Sequence, residues 1–170
     1  MKRIFSSFVL LLTSLVALSC VDDNEIVASG DLLAVGDVLP PFSVVTTEGD
    51  VVTPETLAGR PCVIVFFNTG CGDCRRELPV VNRVFEEYAG QLGFICIARD
   101  EGTESVKAFW ESQSLSLPVS PQTGRSVYDL FAERGIPRVY VCDAEGRIVT
   151  AFTERVGYRK LRKAVERMLP

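Results

Sequence analysis

The spacing of apolar positions changes several times along the chain, and each change marks an element. Residues 42–46 and 51–53 are rich in β-formers and flank Thr47-Glu48-Gly49-Asp50, which predicts a hairpin. Thr53-Pro54-Glu55 supplies an N-cap followed by proline at the first helical position, and Gly59 ends that short piece. Cys62–Phe67 is an unbroken, β-branched apolar run, the pattern of a strand buried on both faces. Over 72–89 the period becomes helical, with Leu78, Val81, Phe85 and Tyr88 on one side and Gly90 behind them. Residues 92–98 return to a buried strand. Helical spacing resumes over 103–115, through Val106, Phe109 and Trp110, and over 126–134, through Val127, Leu130 and Phe131. Residues 136–142 and 147–152 read as strands around the turn Asp143-Ala144-Glu145-Gly146. Tyr158, Leu161, Val165 and Met168 predict a closing amphipathic helix.

A strand–helix–strand unit forces a parallel pair and a tight hairpin an antiparallel one, so the sheet is expected to be mixed. The fold class is α/β, with helices on both faces of a central sheet and an N-terminal β-hairpin. At 170 residues there is room for one domain with an appendage.

The appendage is the front end. Lys2 and Arg3 precede an apolar run from residue 4 to 18. Fifteen residues rise about 22 Å as a helix, short of the ~30 Å hydrocarbon core, which favours an export signal over residues 1–19 rather than a spanning anchor. The stretch Ala17-Leu18-Ser19-Cys20 resembles the lipobox of bacterial lipoproteins, with Ala17 where leucine is usual. That resemblance implies lipid on Cys20 and attachment to a membrane. Residues 20–35 then read as the lipidated cysteine and a flexible acidic tether, and 36–170 as the folded domain.

Composition narrows the chemistry. Eighteen basic against 22 acidic side chains give a net charge of −4, so no basic surplus exists for nucleic acid. There is no histidine, which excludes Ser–His and Cys–His catalysis and histidine-ligated metals. Six cysteines remain, at 20, 62, 71, 74, 96 and 142.

Cys71-Gly72-Asp73-Cys74 follows a buried strand through Asn68-Thr69-Gly70 and opens a helix. The free amides and positive end of a helix N-terminus stabilise a thiolate, drawing a cysteine pKa from about 8.5 towards 7 or below. Cys71, nearest those amides, is the expected attacking thiolate, and Cys74, one turn on, the resolving one. A zinc half-site would need two more ligands, and the chain has neither histidine nor a second CxxC. No metal or cofactor is implied.

From Gly36 to the C-terminus the sequence resembles TlpA/ResA-type thioredoxin-like proteins, the membrane-tethered thiol–disulfide oxidoreductases of bacterial envelopes. The resemblance rests on Gly36-Asp37 with Pro41-Phe42, on Leu57-Ala58-Gly59-Arg60, on Cys71 through Pro79, and on Gly135-Ile136-Pro137. It implies a cis-proline at Pro137 facing the cysteine pair, with Ile136 and Pro137 seating the substrate backbone. It also implies that Pro79 kinks the active-site helix and that Glu77, three residues beyond Cys74, adjusts thiol protonation. The implied partners are cysteine-containing envelope proteins, a membrane thiol electron carrier, and the membrane itself through Cys20. The implied direction is reduction.

Three positions depart from the family pattern: Gly70 stands where tryptophan is common, Val65 where thioredoxin carries a buried aspartate, and Asp73 where proline is usual. A carboxylate at 73 is expected to oppose a second negative charge at Cys71. Two rivals stand beside the oxidoreductase. One is a thioredoxin-fold binding lipoprotein whose CxxC is only a local bridge. The other is a peroxiredoxin, although Asn68 occupies the position where that site needs threonine or serine. Cys62, Cys96 and Cys142 fall in apolar strands and read as inert core thiols. If Pro137 lies opposite Cys71, however, an antiparallel strand brings Cys142 to the level of Cys62.

Overall fold

The computed structural model describes residues 30–169; the expected export signal and Cys20 lie outside them. The first elements are β1 (Val44–Val45) and β2 (Val51–Val52), paired antiparallel, and α1 (Pro54–Leu57). Thr53 and Thr56 close a reciprocal capping box around the start of α1, as the Thr-Pro start predicts. The remaining strands are β3 (Cys62–Phe67), β4 (Gly93–Ala98), β5 (Val119–Ser120), β6 (Arg138–Cys142) and β7 (Ile148–Thr153). They form one five-stranded sheet in the order β5-β4-β3-β6-β7. β3 pairs parallel with β4 and antiparallel with β6, so the sheet is mixed. The central strand β3 and its neighbour β4 are buried along their whole length, which is why their sequences lack alternation.

Three longer helices, α2 (Gly72–Glu87), α3 (Thr103–Gln113) and α4 (Tyr158–Glu166), complete the chain. α2 and α4 pack together. The Phe67 ring packs tilted against Trp110 of α3, and the Arg75 guanidinium of α2 lies over the Phe109 ring, so α2 and α3 share the Phe67 face. Phe66 points the other way, into Tyr128, Phe131 and Tyr140. Helices thus lie on both faces, as expected; on this second face they are short, α1 and a 3-10 turn at Tyr128–Leu130, joined by the N-terminal segment.

Two sequence expectations are corrected here. The helix over 126–134 shrinks to that 3-10 turn, because the carbonyl of Phe131 accepts from Leu32 N–H and the amide of Glu133 donates to Gly30 C=O. Backbone groups a helix would have used are taken by a neighbouring segment. For the same reason the described end of the tether, 30–35, is not a free linker. Leu32 is tied to Phe131, and the Asp31 side chain is buried in an ion pair with Arg138. β5 was not foreseen; it is two residues long, follows Pro118 and sits at the sheet edge, where proline is tolerated. The hairpin covers that edge, through Thr47 N–H to Val119 C=O at 2.9 Å and Ser120 Oγ to Val45 C=O at 2.6 Å.

Candidate active site

β3 ends at Phe67, and the chain must turn sharply to start α2. Asn68 shapes the turn: its Oδ1 accepts from Gly70 N–H at 2.9 Å and its Nδ2 donates to Arg99 C=O at 3.2 Å. Thr69 is held from outside by Glu101, whose carboxylate accepts from Thr69 N–H at 2.8 Å and from its hydroxyl. The turn delivers Cys71 as the N-cap of α2, with its amide bonded to Asn68 C=O at 3.0 Å.

The two sulfurs meet different surroundings. Cys71 is half-buried and Cys74 fully buried. Cys71 Sγ accepts from Cys74 N–H at 3.4 Å and donates to Ile136 C=O at 3.5 Å. One sulfur therefore touches both the free amides of the helix start and the loop across from it. Burial pushes the Cys74 thiol well above its usual pKa; a bond to the Asn68 backbone and the charge of Arg99 pull it back only in part.

The loop opposite is Gly135-Ile136-Pro137, and the Ile136–Pro137 peptide bond is cis, as expected. Ile136 and Pro137 are both buried. Gly135 has φ +86°, and a Cβ there would come within 3.0 Å of Thr153, so the bend requires glycine. Tyr128 O–H donates to Gly135 C=O at 2.9 Å, and Arg138 sits directly behind the proline with no exposed surface. Arg138 donates from Nε to Arg134 C=O at 3.0 Å, bonds Thr153 Oγ1 at 3.3 Å and pairs with Asp31. Burial lowers its pKa from the usual guanidinium value.

Glu77 follows Cys74 by three residues, as the spacing requires, but its carboxylate is engaged elsewhere. Oε2 accepts from the amides of Val156 at 3.2 Å and Gly157 at 3.0 Å, tying α2 to the loop before α4. These bonds make it a tie between elements. Asp73 pairs with Arg76 on the exposed face, so the charge beside the cysteines is an ion pair rather than a bare carboxylate. Pro79 lies inside α2, where its missing N–H leaves the Arg75 carbonyl without its helical donor.

The structure thus brings together Cys71, Cys74, Ile136 and Pro137, and it sets Glu77 one turn back. Sequence reasoning missed Glu101, Arg99 and the Asp31–Arg138 pair. A signal existed for the last: an arginine abutting a proline in an otherwise apolar strand needs a buried partner. Among the described residues no cluster of cysteine and carboxylate groups could hold a metal ion.

Residues 35–151 match the AhpC/TSA family, well over half of the chain. The thiol-disulfide oxidoreductase ResA of Bacillus subtilis (strain 168) is 24% identical over 153 residues, covering 89% of this chain and 86% of that protein. ResA of Halalkalibacterium halodurans is 25% identical over 170 residues, covering 99% and 97%. Among solved structures, a thioredoxin-family thiol:disulfide interchange protein from Chlorobium tepidum TLS superposes with a TM-score of 0.70 at 26% identity, covering 81% of this chain and 99% of its own. A thio-disulfide isomerase from Thermus thermophilus gives a TM-score of 0.67 at 30% identity, covering 80% and 97%. By the span and agreement of these matches, the chain belongs to the AhpC/TSA family and, within it, to the thioredoxin-fold thiol–disulfide oxidoreductases of the ResA kind.

Proposed function

We propose that the chain is exported, held to a membrane by lipid on Cys20, and reduces disulfides in other envelope proteins through Cys71 and Cys74. The observation that carries the site assignment is the asymmetry of the two sulfurs: one half-exposed at a helix N-cap against Ile136 C=O, the other buried behind it.

In the first step the Cys71 thiolate attacks one sulfur of a substrate disulfide. A mixed disulfide forms, and the other substrate sulfur leaves as a thiolate. Cys74 then attacks the Cys71 sulfur and expels the second substrate sulfur. Two electrons pass to the substrate, and Cys71 and Cys74 become bridged. Because burial keeps Cys74 protonated, its proton must leave as it attacks, and the departing substrate thiolate is a base generated at that spot. The positive end of α2 and the Cys74 N–H face the attacking Cys71 thiolate, and again the Cys71 sulfur when a dithiol donor reopens the bridge and releases it as the leaving thiolate. Ile136 and Pro137 line the approach opposite, the place for an extended substrate segment. Turnover requires a dithiol donor to reopen the bridge, for which a membrane thiol carrier is the fitting class.

Insulin reduction tests the exchange. Cys71→Ser is expected to reduce the rate to the uncatalysed background, and retention of activity would remove Cys71 from the mechanism. Direction is tested by the reduction potential: a value near about −270 mV supports a reductant, and one near about −120 mV makes the protein an oxidant. Membrane fractionation of Cys20→Ala tests the anchor, with release into the soluble exported fraction expected and unchanged partition contradicting it.

A further inference from the structure

We propose that Cys62 and Cys142 form a second, structural disulfide, closed while the chain folds in the presence of a disulfide oxidant and thereafter sealed from solvent. The two residues are direct partners in the antiparallel β3–β6 register, the first residue of one strand facing the last of the other. Directly opposed residues place their Cβ atoms about 4.5–5.5 Å apart on the same face, and a disulfide needs about 3.5–4.5 Å. The small approach required falls where the ladder is most adaptable, at its end and beside an irregularity between Val141 and Cys142 in the β6–β7 pairing. On its other side Cys62 faces Gly93, which has no side chain; a Cβ there would stand 3.1 Å from that of Cys62.

Other pairings are excluded by geometry. Cys96 pairs with Val65, so its side chain lies on the opposite face of the sheet from Cys62. Cys71 and Cys74 follow the far end of β3, about 17 Å from Cys62 at about 3.3 Å per residue. The two pairs cannot exchange within one molecule.

Cys62 and Cys142 are 1% and 0% exposed, so no oxidant or reductant reaches them once the sheet is closed. In the unbridged form a hydrogen bond between the two thiols, and then burial, also push the Cys142 pKa far up, which leaves little thiolate to react. Closure therefore belongs to folding. The thiolate of one cysteine attacks a small-molecule disulfide such as oxidised glutathione, releasing one glutathione thiolate. The second cysteine displaces the other. The protein loses two electrons, the oxidant becomes two thiols, and the two cysteine protons end on them.

The test uses the full chain carrying Cys71→Ser and Cys74→Ser, refolded from denaturant in a glutathione redox buffer or in reductant alone. Free thiols are then blocked under denaturing conditions and the cysteine peptides mapped by mass. The expected result after oxidative refolding is a joined Cys62–Cys142 peptide with Cys96 blocked. Reductant added to the folded protein should leave the bridge closed for hours, and adding denaturant should open it within minutes. The proposal is overturned if both residues are blocked or carry glutathione, if the bridge involves Cys96 or Cys20, or if reductant opens the folded protein as fast as the unfolded one. Wild-type chain secreted through an oxidising compartment, and blocked on lysis, is mapped in parallel. If refolding fails, the secreted chain still decides: bridged peptide supports the proposal, and blocked Cys62 and Cys142 overturn it.

Discussion

At the scale of single residues, the site depends on groups that never touch a substrate. Arg138 is the clearest case. It follows Pro137 directly, has no exposed surface, and pairs with the Asp31 carboxylate. Removing one partner of a buried ion pair costs about 3–5 kcal/mol, because the other charge remains in a poorly solvating place. Asp31→Ala is therefore expected to lower stability by about 3 kcal/mol, read from the denaturant midpoint. A loss below about 1 kcal/mol would mean that water reaches the guanidinium. Cys71 and Cys74 were legible in the sequence because the chemistry is written locally, two cysteines three apart after a strand, whereas Pro137 was marked only by the family resemblance. Arg138 and Asp31 were not, since their partnership spans more than a hundred residues and only the fold joins them. Glu77 was legible as a position only. Which amides its carboxylate would meet depended on where the loop before α4 came to rest.

At the scale of elements, several contacts join α2 and its C-cap to the C-terminal region, Tyr158, Tyr88 and Glu77 among them. Tyr158 O–H donates to both oxygens of Glu87 at 2.7 and 2.8 Å, Tyr88 O–H donates to Glu166 at 2.9 Å, and Glu77 accepts from Val156 and Gly157. The first two are exposed and contribute little. The Glu77 bonds are charge-assisted and partly buried, so Glu77→Ala should destabilise by about 1–3 kcal/mol. A stability change without any change in the pH profile of exchange identifies a tie between helices, whereas a displaced pH profile identifies a proton carrier. The strands other than β5 and the three longer helices could be read from the sequence because burial on one or two faces sets their periodicity. The region 126–134 could not, because its apolar spacing fits a helix equally well until Gly30–Leu32 claims its backbone groups. A pattern of side chains does not show which carbonyls have competing donors.

At the scale of the whole molecule, the sheet and its coverings bury titratable groups that water would keep accessible. Burial pushes the thiols of Cys74 and Cys96 far above their usual pKa. The Tyr140 hydroxyl is pushed up to about 12, chiefly by burial. On unfolding these groups return to about 8.5 for cysteine and about 10 for tyrosine. Above about pH 8.5 the unfolded chain then binds fewer protons than the folded one, so stability declines as pH rises; below it these groups add no pH dependence. Each raised thiol contributes up to about 1.4 kcal/mol per pH unit in that range. Bridging Cys71 and Cys74 removes one such thiol, so denaturation curves should fall less steeply for the oxidised protein between about pH 8.5 and 10.5. Equal slopes would mean that Cys74 is not buried as described.

The division of labour between the two sulfurs is tested most directly by trapping. With Cys74→Ser, the first step can proceed and the second cannot, so incubation with a disulfide-bearing protein should accumulate a covalent adduct whose mass map places the link at Cys71. Cys71→Ser should yield no comparable adduct, because Cys74 is buried and protonated. Adducts forming at Cys74 as readily as at Cys71, or at neither, would contradict the account.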